Sequence, residues 1–256
     1  MSFFPEIISP GFLIVATAVT LFAGFVKGAV GFGMPMIMIS GLGSFLSPEL
    51  ALAALIVPTV LSNGWQAVRG GVLTAWQSVL KYRLYIGFLL VMIVLSAQLV
   101  RYLSVSWLFL IIGIPVTFFA LTQLMGWHLT IRPAHRSRAE VLLGTVAGFF
   151  GGLTGVWGPP TIAFLTALNT PKNEHVQVQG VIYGAGAVVL FFSHLKSGIL
   201  TGQNLQLSLW MVIPAMLGMT IGFWIQDKLD QEKFRRATLV VLIFAGLNLI
   251  RRGLVG

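Results

Sequence analysis

The chain contains no cysteine, and only seven of its 256 residues are acidic. Without a thiol there is no disulfide, no thiolate metal site and no cysteine nucleophile. Charge of either sign is scarce: charged residues make up 9% of the chain, hydrophobic residues 57%, and the mean hydropathy is +0.92. A water-soluble domain cannot hide that much apolar surface. The useful count is therefore of hydrophobic stretches, each needing about 20 residues to cross a core about 30 Å thick.

Other absences narrow the function. No Walker loop is present, so energy from bound ATP is not indicated. His194 follows Ser193, but no third member and no nucleophile turn accompany them, so a hydrolase triad has only weak support and no enzyme is expected. His128, His135 and His175 lack metal-ligand spacing, and neither metal nor cofactor is expected. The acids lie between apolar runs or at their ends, which leaves no mid-membrane carboxylate for a proton relay and leaves the coupling ion open. The net charge of +9 does not point to nucleic acid, because the basic residues sit in short loops, where they orient a membrane protein. The opening MSFFPEIISPG lacks a positive n-region and a small-residue cleavage site, so the apolar run from Phe12 reads as mature protein.

What is present is a series of eight apolar stretches, at about 11-46, 50-68, 84-100, 107-126, 140-168, 176-195, 209-226 and 236-250. Trp107, Trp127, Trp210 and Trp224 near their ends fit an interfacial aromatic belt. The longest polar break, WHLTIRPAHRSRAE from Trp127 to Glu140, divides the chain into halves, 1–130 and 131–256, of one transmembrane domain.

The halves repeat. AGFVKGAVGFGMP from Ala23 aligns with AGFFGGLTGVWGP from Ala147, setting Gly24, Gly28, Gly31 and Pro35 over Gly148, Gly152, Gly155 and Pro159. Gly71-Val72-Leu73-Thr74 then matches Gly198-Ile199-Leu200-Thr201, and Ser47-Pro48 matches Thr170-Pro171. Matches in the same order point to internal duplication, a common construction of secondary transporters.

Length decides how the repeats thread the membrane. A continuous helix over 11-46 would be roughly 52 Å long, and one over 140-168 roughly 43 Å, too long for a core of about 30 Å without extreme tilt. Each stretch is therefore expected to break at its glycines and prolines and fold back as a re-entrant hairpin. Charge supports this: hairpins put eleven loop Lys/Arg on one side and four on the other, whereas single crossings give nine and six. The expected fold is all-α and polytopic, with two inverted repeats, each a broken hairpin plus three transmembrane helices, and both termini outside.

The tips near Lys27 to Pro35 and Gly151 to Pro160 are the candidate site. Pro35, Pro159 and Pro160 suit the first turn of an outgoing half-helix, whose free N–H groups and positive dipole end attract anions. Gly24, Gly28, Gly31 and Pro35 would equally form one stripe for close helix packing, and both readings stand. Lys27, in a long apolar stretch without a nearby acid, is a binding candidate or a snorkelling lysine. Its repeat equivalent is Gly151. Gly33, Asn63, Gln66, Thr154, Gln179 and Tyr183 are further candidates, with interhelical hydrogen bonding as the alternative for the polar ones. Trp157 lies in the second tip, where it would pack against substrate or core.

GFVKGAVGFGMP, GFFGGLTGVWGPP and LSNGWQAVRGG from Leu61 together resemble the sulfite exporter TauE/SafE family of bacterial membrane permeases, over nearly the whole chain. The resemblance implies transport of a sulfur-containing anion such as sulfite, a sulfonate or sulfoacetate across the bacterial cytoplasmic membrane, by alternating access. By position, the family motifs fall on Gly24, Gly28, Gly31 and Gly33, and on Gly148, Gly152, Gly155 and Pro159. A lysine at position 27 is not a fixed part of that pattern and would tune this member. An anion channel using the same tips and a non-transporting assembly subunit are the alternatives.

Overall fold

The computed structural model describes residues 8–97, 105–126, 130–154, 157–196, 198–200 and 202–255. Among these, all regular structure is helical. The first half holds α1 (Pro10–Val30), α2 (Met34–Leu42), α3 (Pro48–Val68), α4 (Val72–Lys81), α5 (Arg83–Ala97) and α6 (Val105–Leu124). After a 3-10 turn at Pro133–His135, the second half holds α7 (Arg136–Thr154), α8 (Gly158–Ala167), α9 (Lys172–Lys196), α10 (Gly202–Lys228) and α11 (Gln231–Val255).

Helix starts follow local chemistry. Ser9 and Ser47 accept from Phe12 N and Leu50 N, with Pro10 and Pro48 in the first turn, where a missing N–H costs little. Asp230 accepts from Lys233 N and opens α11. Inside α3, Pro58 interrupts the backbone ladder, and the N–H of Val57 is taken by Ser208 Oγ of α10 at 3.1 Å.

Both long stretches break, and the chain doubles back at each. Gly31 and Gly33, at φ 88° and 94°, turn the chain between α1 and α2, and the Gly31 N–H closes α1 on the Lys27 carbonyl at 2.7 Å. A Cβ built on Gly41 would lie 2.6 Å from Val19 Cγ1, and the Phe12 and Phe45 rings stack 5.4 Å apart, so α2 returns along α1. In the second half the Ile131 N–H, just before α7, donates to the Ala167 carbonyl at the end of α8 at 2.8 Å. At about 31 Å by its 21 residues, α1 is itself as long as the membrane core is thick, longer than a half-crossing arm needs.

The four most extensive helix pairings are the same when the halves are exchanged. α1 packs on α10 and α7 on α5, while α3 pairs with α9 and α6 with α11. Close glycine contacts give the directions. Cβ atoms on Gly24 and Gly28 would meet the carbonyls of Ala215 and Met219, both at 2.2 Å, so α1 and α10 run parallel. Gly144 and Gly148 face Tyr85 and Leu89, making α7 parallel to α5. Gly180 faces Ala67 and Gly184 faces Asn63, so α3 and α9 are antiparallel; Gly246 against Gly113 and Gly253 against Ser106 make α6 and α11 antiparallel as well.

The six full crossings and two hairpins expected from the eight stretches do not map one to one onto the helices long enough to span. Five described helices (α1, α3, α9, α10 and α11) are long and apolar enough to span, and six do if α4 and α5, bent by 77°, count as one. The sequence reading also passed over α4. Ten residues are too few to span, and its exposed Val72, Leu73, Trp76 and Leu80 form the apolar face of an amphipathic helix.

Polar contacts gather the basic loops at one end of the bundle. Arg69, just after α3, forks onto both carboxylate oxygens of Asp227 of α10 at 2.8 and 2.6 Å, and Lys81 pairs with Glu174 of α9. Arg136 reaches the Lys81 carbonyl at 3.3 Å, and Lys172 Nζ donates to the carbonyls of Gln226 and Leu229.

Candidate functional site

The site forms where the α3 and α9 crossing meets the two tips. Lys27, one turn before the end of α1, is 1% exposed, and its Nζ donates to Asn63 Oδ1 of α3. The Tyr183 ring of α9 lies 5.8 Å from the same nitrogen, within reach of a cation–π contact. Tyr183 Oη donates in turn to the Gly158 carbonyl at the start of α8, at 3.1 Å. Lys27, Asn63, Tyr183 and the second tip are thus linked through one side-chain chain.

One turn nearer the basic end lies Gln66, three residues after Asn63 and fully buried. Its Nε2 donates to the Gly31 carbonyl at 3.0 Å and the Val176 carbonyl at 2.7 Å, with Gln179 Oε1 at 3.5 Å. A Cβ on Gly31 would stand 1.8 Å from Gln179 Oε1, so only glycine lets the first tip approach this amide pair. Gln66 Oε1 and Gln179 Nε2 are buried with no hydrogen-bond partner among the described residues, leaving one acceptor and one donor free.

The tips overlap along α9 rather than meeting end to end. The first reaches Gln179, while the second touches Tyr183 through Gly158 and Gly186 through Trp157, further from the basic end. Lys27 itself, rather than the tip glycines, stands opposite the second tip. Gln66 also lines a cavity of about 530 Å3 together with Arg69, Lys81, Glu174, Gln177, Gln226 and Asp227. These charges match in pairs, Arg69 with Asp227 and Lys81 with Glu174. The cavity therefore opens at the basic end, and Lys27 lies one helical turn beneath its floor.

The sequence candidates separate by the direction each faces. Lys27, Gly31, Asn63, Gln66, Gln179 and Tyr183 come together. Gly24 and Gly28 face α10, and Gly148 faces Leu89 of α5 in the same way, which is the packing stripe. Gly33 faces Val26, Ile37 and Val241, away from Lys27. Trp157, 7% exposed, is wedged against Gly151 and Gly186. Gly152 is half-buried in α7; the Thr154 side chain and all of Gly155 lie outside the described residues, as do Trp127, His128 and Arg101. Pro35 occupies the first turn of α2, and Pro159 and Pro160 that of α8, where the pair removes two N–H donors. The second tip is thus poorer in donors than a free helix start.

Sequence reasoning missed the cavity wall. Arg69 and Asp227 are 158 positions apart, and only folding reveals the pair; the polar run Asn173, Glu174, Gln177 in the first turns of α9 was the available signal. Among the described residues, no group of three or more His, Asp or Glu could hold a metal ion.

Comparison with known proteins found no match among curated proteins or solved structures. The model of the family described as sulfite exporter TauE/SafE matches residues 16–249, which spans every element from within α1 to α11. Family and apolar helices together make this a multi-pass membrane protein and a transporter of sulfite-exporter type. The chain belongs to the sulfite exporter TauE/SafE family.

Proposed function

We propose that this chain carries a small sulfur-containing anion of the sulfite, sulfonate or sulfoacetate class across a bacterial cytoplasmic membrane by alternating access, with Lys27 as the charged contact. The observation that carries this reading is a lysine buried in the bundle, held by a neutral amide and an aromatic ring, one turn beneath a cavity open at one end. Among the described residues no acid neighbours this ammonium, and an anionic substrate supplies the counter-charge. Asn63, Gln66, Gln179, Tyr183 and the Gly31 tip complete the contacts, with Gly152, Thr154, Gly155 and Trp157 belonging to the second tip.

In this reading 1–130 and 131–256 are inverted repeats of one domain, each with a re-entrant hairpin. The helix directions support it: α1 parallel to α10 and α7 parallel to α5, with α3 and α6 each antiparallel to its counterpart. Repeats of opposite orientation in the membrane let one half rock on the other around a fixed site. The basic end faces the cytoplasm and both termini face outside, so the cavity is the inward-facing vestibule.

Counterflow into vesicles containing only the purified protein, with a panel of sulfite, sulfate, sulfonates and carboxylates, tests the proposal. Saturable exchange of the sulfur anions supports a carrier, non-saturating flux indicates a channel, and no flux of any anion favours an assembly subunit.

A further inference from the structure

We propose that, within the substrate class proposed above, the site selects singly charged sulfur anions, R–SO3− and hydrogensulfite, against the doubly charged forms of sulfite, sulfate and sulfoacetate, which narrows that class; this rests on the reading of Lys27 as the substrate contact.

The argument is a charge count along one path. Of the residues lining the cavity, Arg69 and Lys81 are cationic and Asp227 and Glu174 anionic, and each cation is paired with one acid. The cavity wall therefore carries no net charge. Beneath it, Gln66, Gln179, Asn63 and Tyr183 are neutral, and Lys27 alone adds a unit charge. A monoanion beside Lys27 forms a neutral pair. A dianion leaves one negative charge unmatched in a buried setting, where an uncompensated charge is far more expensive than in water.

Helix starts offer only fractions of a charge, which fade within a turn. Here they are weakened further, because Pro159 and Pro160 remove donors from the start of α8 and the start of α2 at Gly33 faces Val26 and Val241. The amide pair points the same way. Gln179 Nε2 can donate to one anionic oxygen, whereas the unpaired Gln66 Oε1 is an acceptor that repels a second and accepts from a protonated one.

The test uses the purified wild-type chain in vesicles preloaded with methanesulfonate, a monoanion at every accessible pH. Labelled methanesulfonate uptake is measured against competing unlabelled sulfate, and against sulfite from mildly acidic to mildly alkaline pH. The expected result is that sulfate competes at least about tenfold more weakly than methanesulfonate does against itself. Competition by sulfite should weaken as pH rises and it loses its remaining proton, while self-competition by methanesulfonate stays level. Sulfate competing equally well, or sulfite strengthening with pH, overturns the charge selection while leaving anion transport standing. Absence of exchange with every anion overturns instead the underlying reading of Lys27 as a substrate contact, and the selection with it.

Discussion

The Gln66 amide donates to the Gly31 carbonyl across 3.0 Å, so a single α3 side chain holds the turn that ends α1. The same nitrogen reaches Val176, which ties the first tip to α9 and closes the cavity floor above Lys27. Replacing Gln66 with Leu keeps the bulk but strips a partner from two buried carbonyls. The expected cost is about 1–3 kcal/mol of stability, read from unfolding of the detergent-solubilised protein. Substrate exchange should change together with stability. An unaltered unfolding midpoint would mean that water or a neighbouring group replaces the amide.

The glycine stripe gives a second prediction. Gly24→Ala and Gly28→Ala each place a methyl 2.2 Å from a carbonyl oxygen of α10, so the helices must separate. Overpacking of this kind costs about 1–3 kcal/mol. Gly64→Ala is the control, since nothing lies within 4 Å of the added Cβ and alanine is the better helix former by about 0.8–1.0 kcal/mol. Unfolding midpoints should fall for the first two variants and hold or rise for the third.

These two cases mark how far the sequence could be read. Gly24, Gly28 and Gly31 share one spacing on paper, and spacing cannot say which faces a helix and which faces a site. The difference lies in the backbone: Gly31 has left the helix at φ 88°, whereas Gly24 and Gly28 remain inside it. The helix breaks were readable, because a largely apolar stretch of 36 positions from 11 to 46 exceeds any straight crossing. Asn63 and Gln66 were readable too, being polar and three apart in an apolar run. The Arg69–Asp227 and Lys81–Glu174 pairs were not, since each joins residues from opposite halves. α4 escaped because hydropathy length is blind to a short amphipathic helix.

Orientation is a third prediction, and the lack of cysteine makes it direct. Ser44→Cys, exposed beyond α2, should react with a membrane-impermeant thiol reagent in intact cells, whereas Arg138→Cys, exposed at the basic end, should react only after lysis. A reporter fused at Gly256 should likewise be active outside the cytoplasm. The reverse labelling pattern would turn the molecule over and place the cavity on the outer face.

The fourth prediction concerns Lys27. Its Nζ has Asn63 Oδ1 and the Tyr183 ring as neighbours, neither of which carries a negative charge. Lys27→Met keeps most of the side-chain length and removes the ammonium, so it should leave the fold intact, with an unfolding midpoint at or above the wild-type value, because a buried charge is relieved. Anion exchange should nevertheless fall at least about tenfold, the equivalent of about 1.4 kcal/mol of lost interaction. Lys27→Arg should retain part of the exchange, since it keeps the charge but presents a larger, planar head to the Asn63 amide. The two measurements must diverge: stability held while exchange is lost identifies a substrate contact. Wild-type exchange in the Met variant would instead make Lys27 a structural cation held by Asn63 and Tyr183.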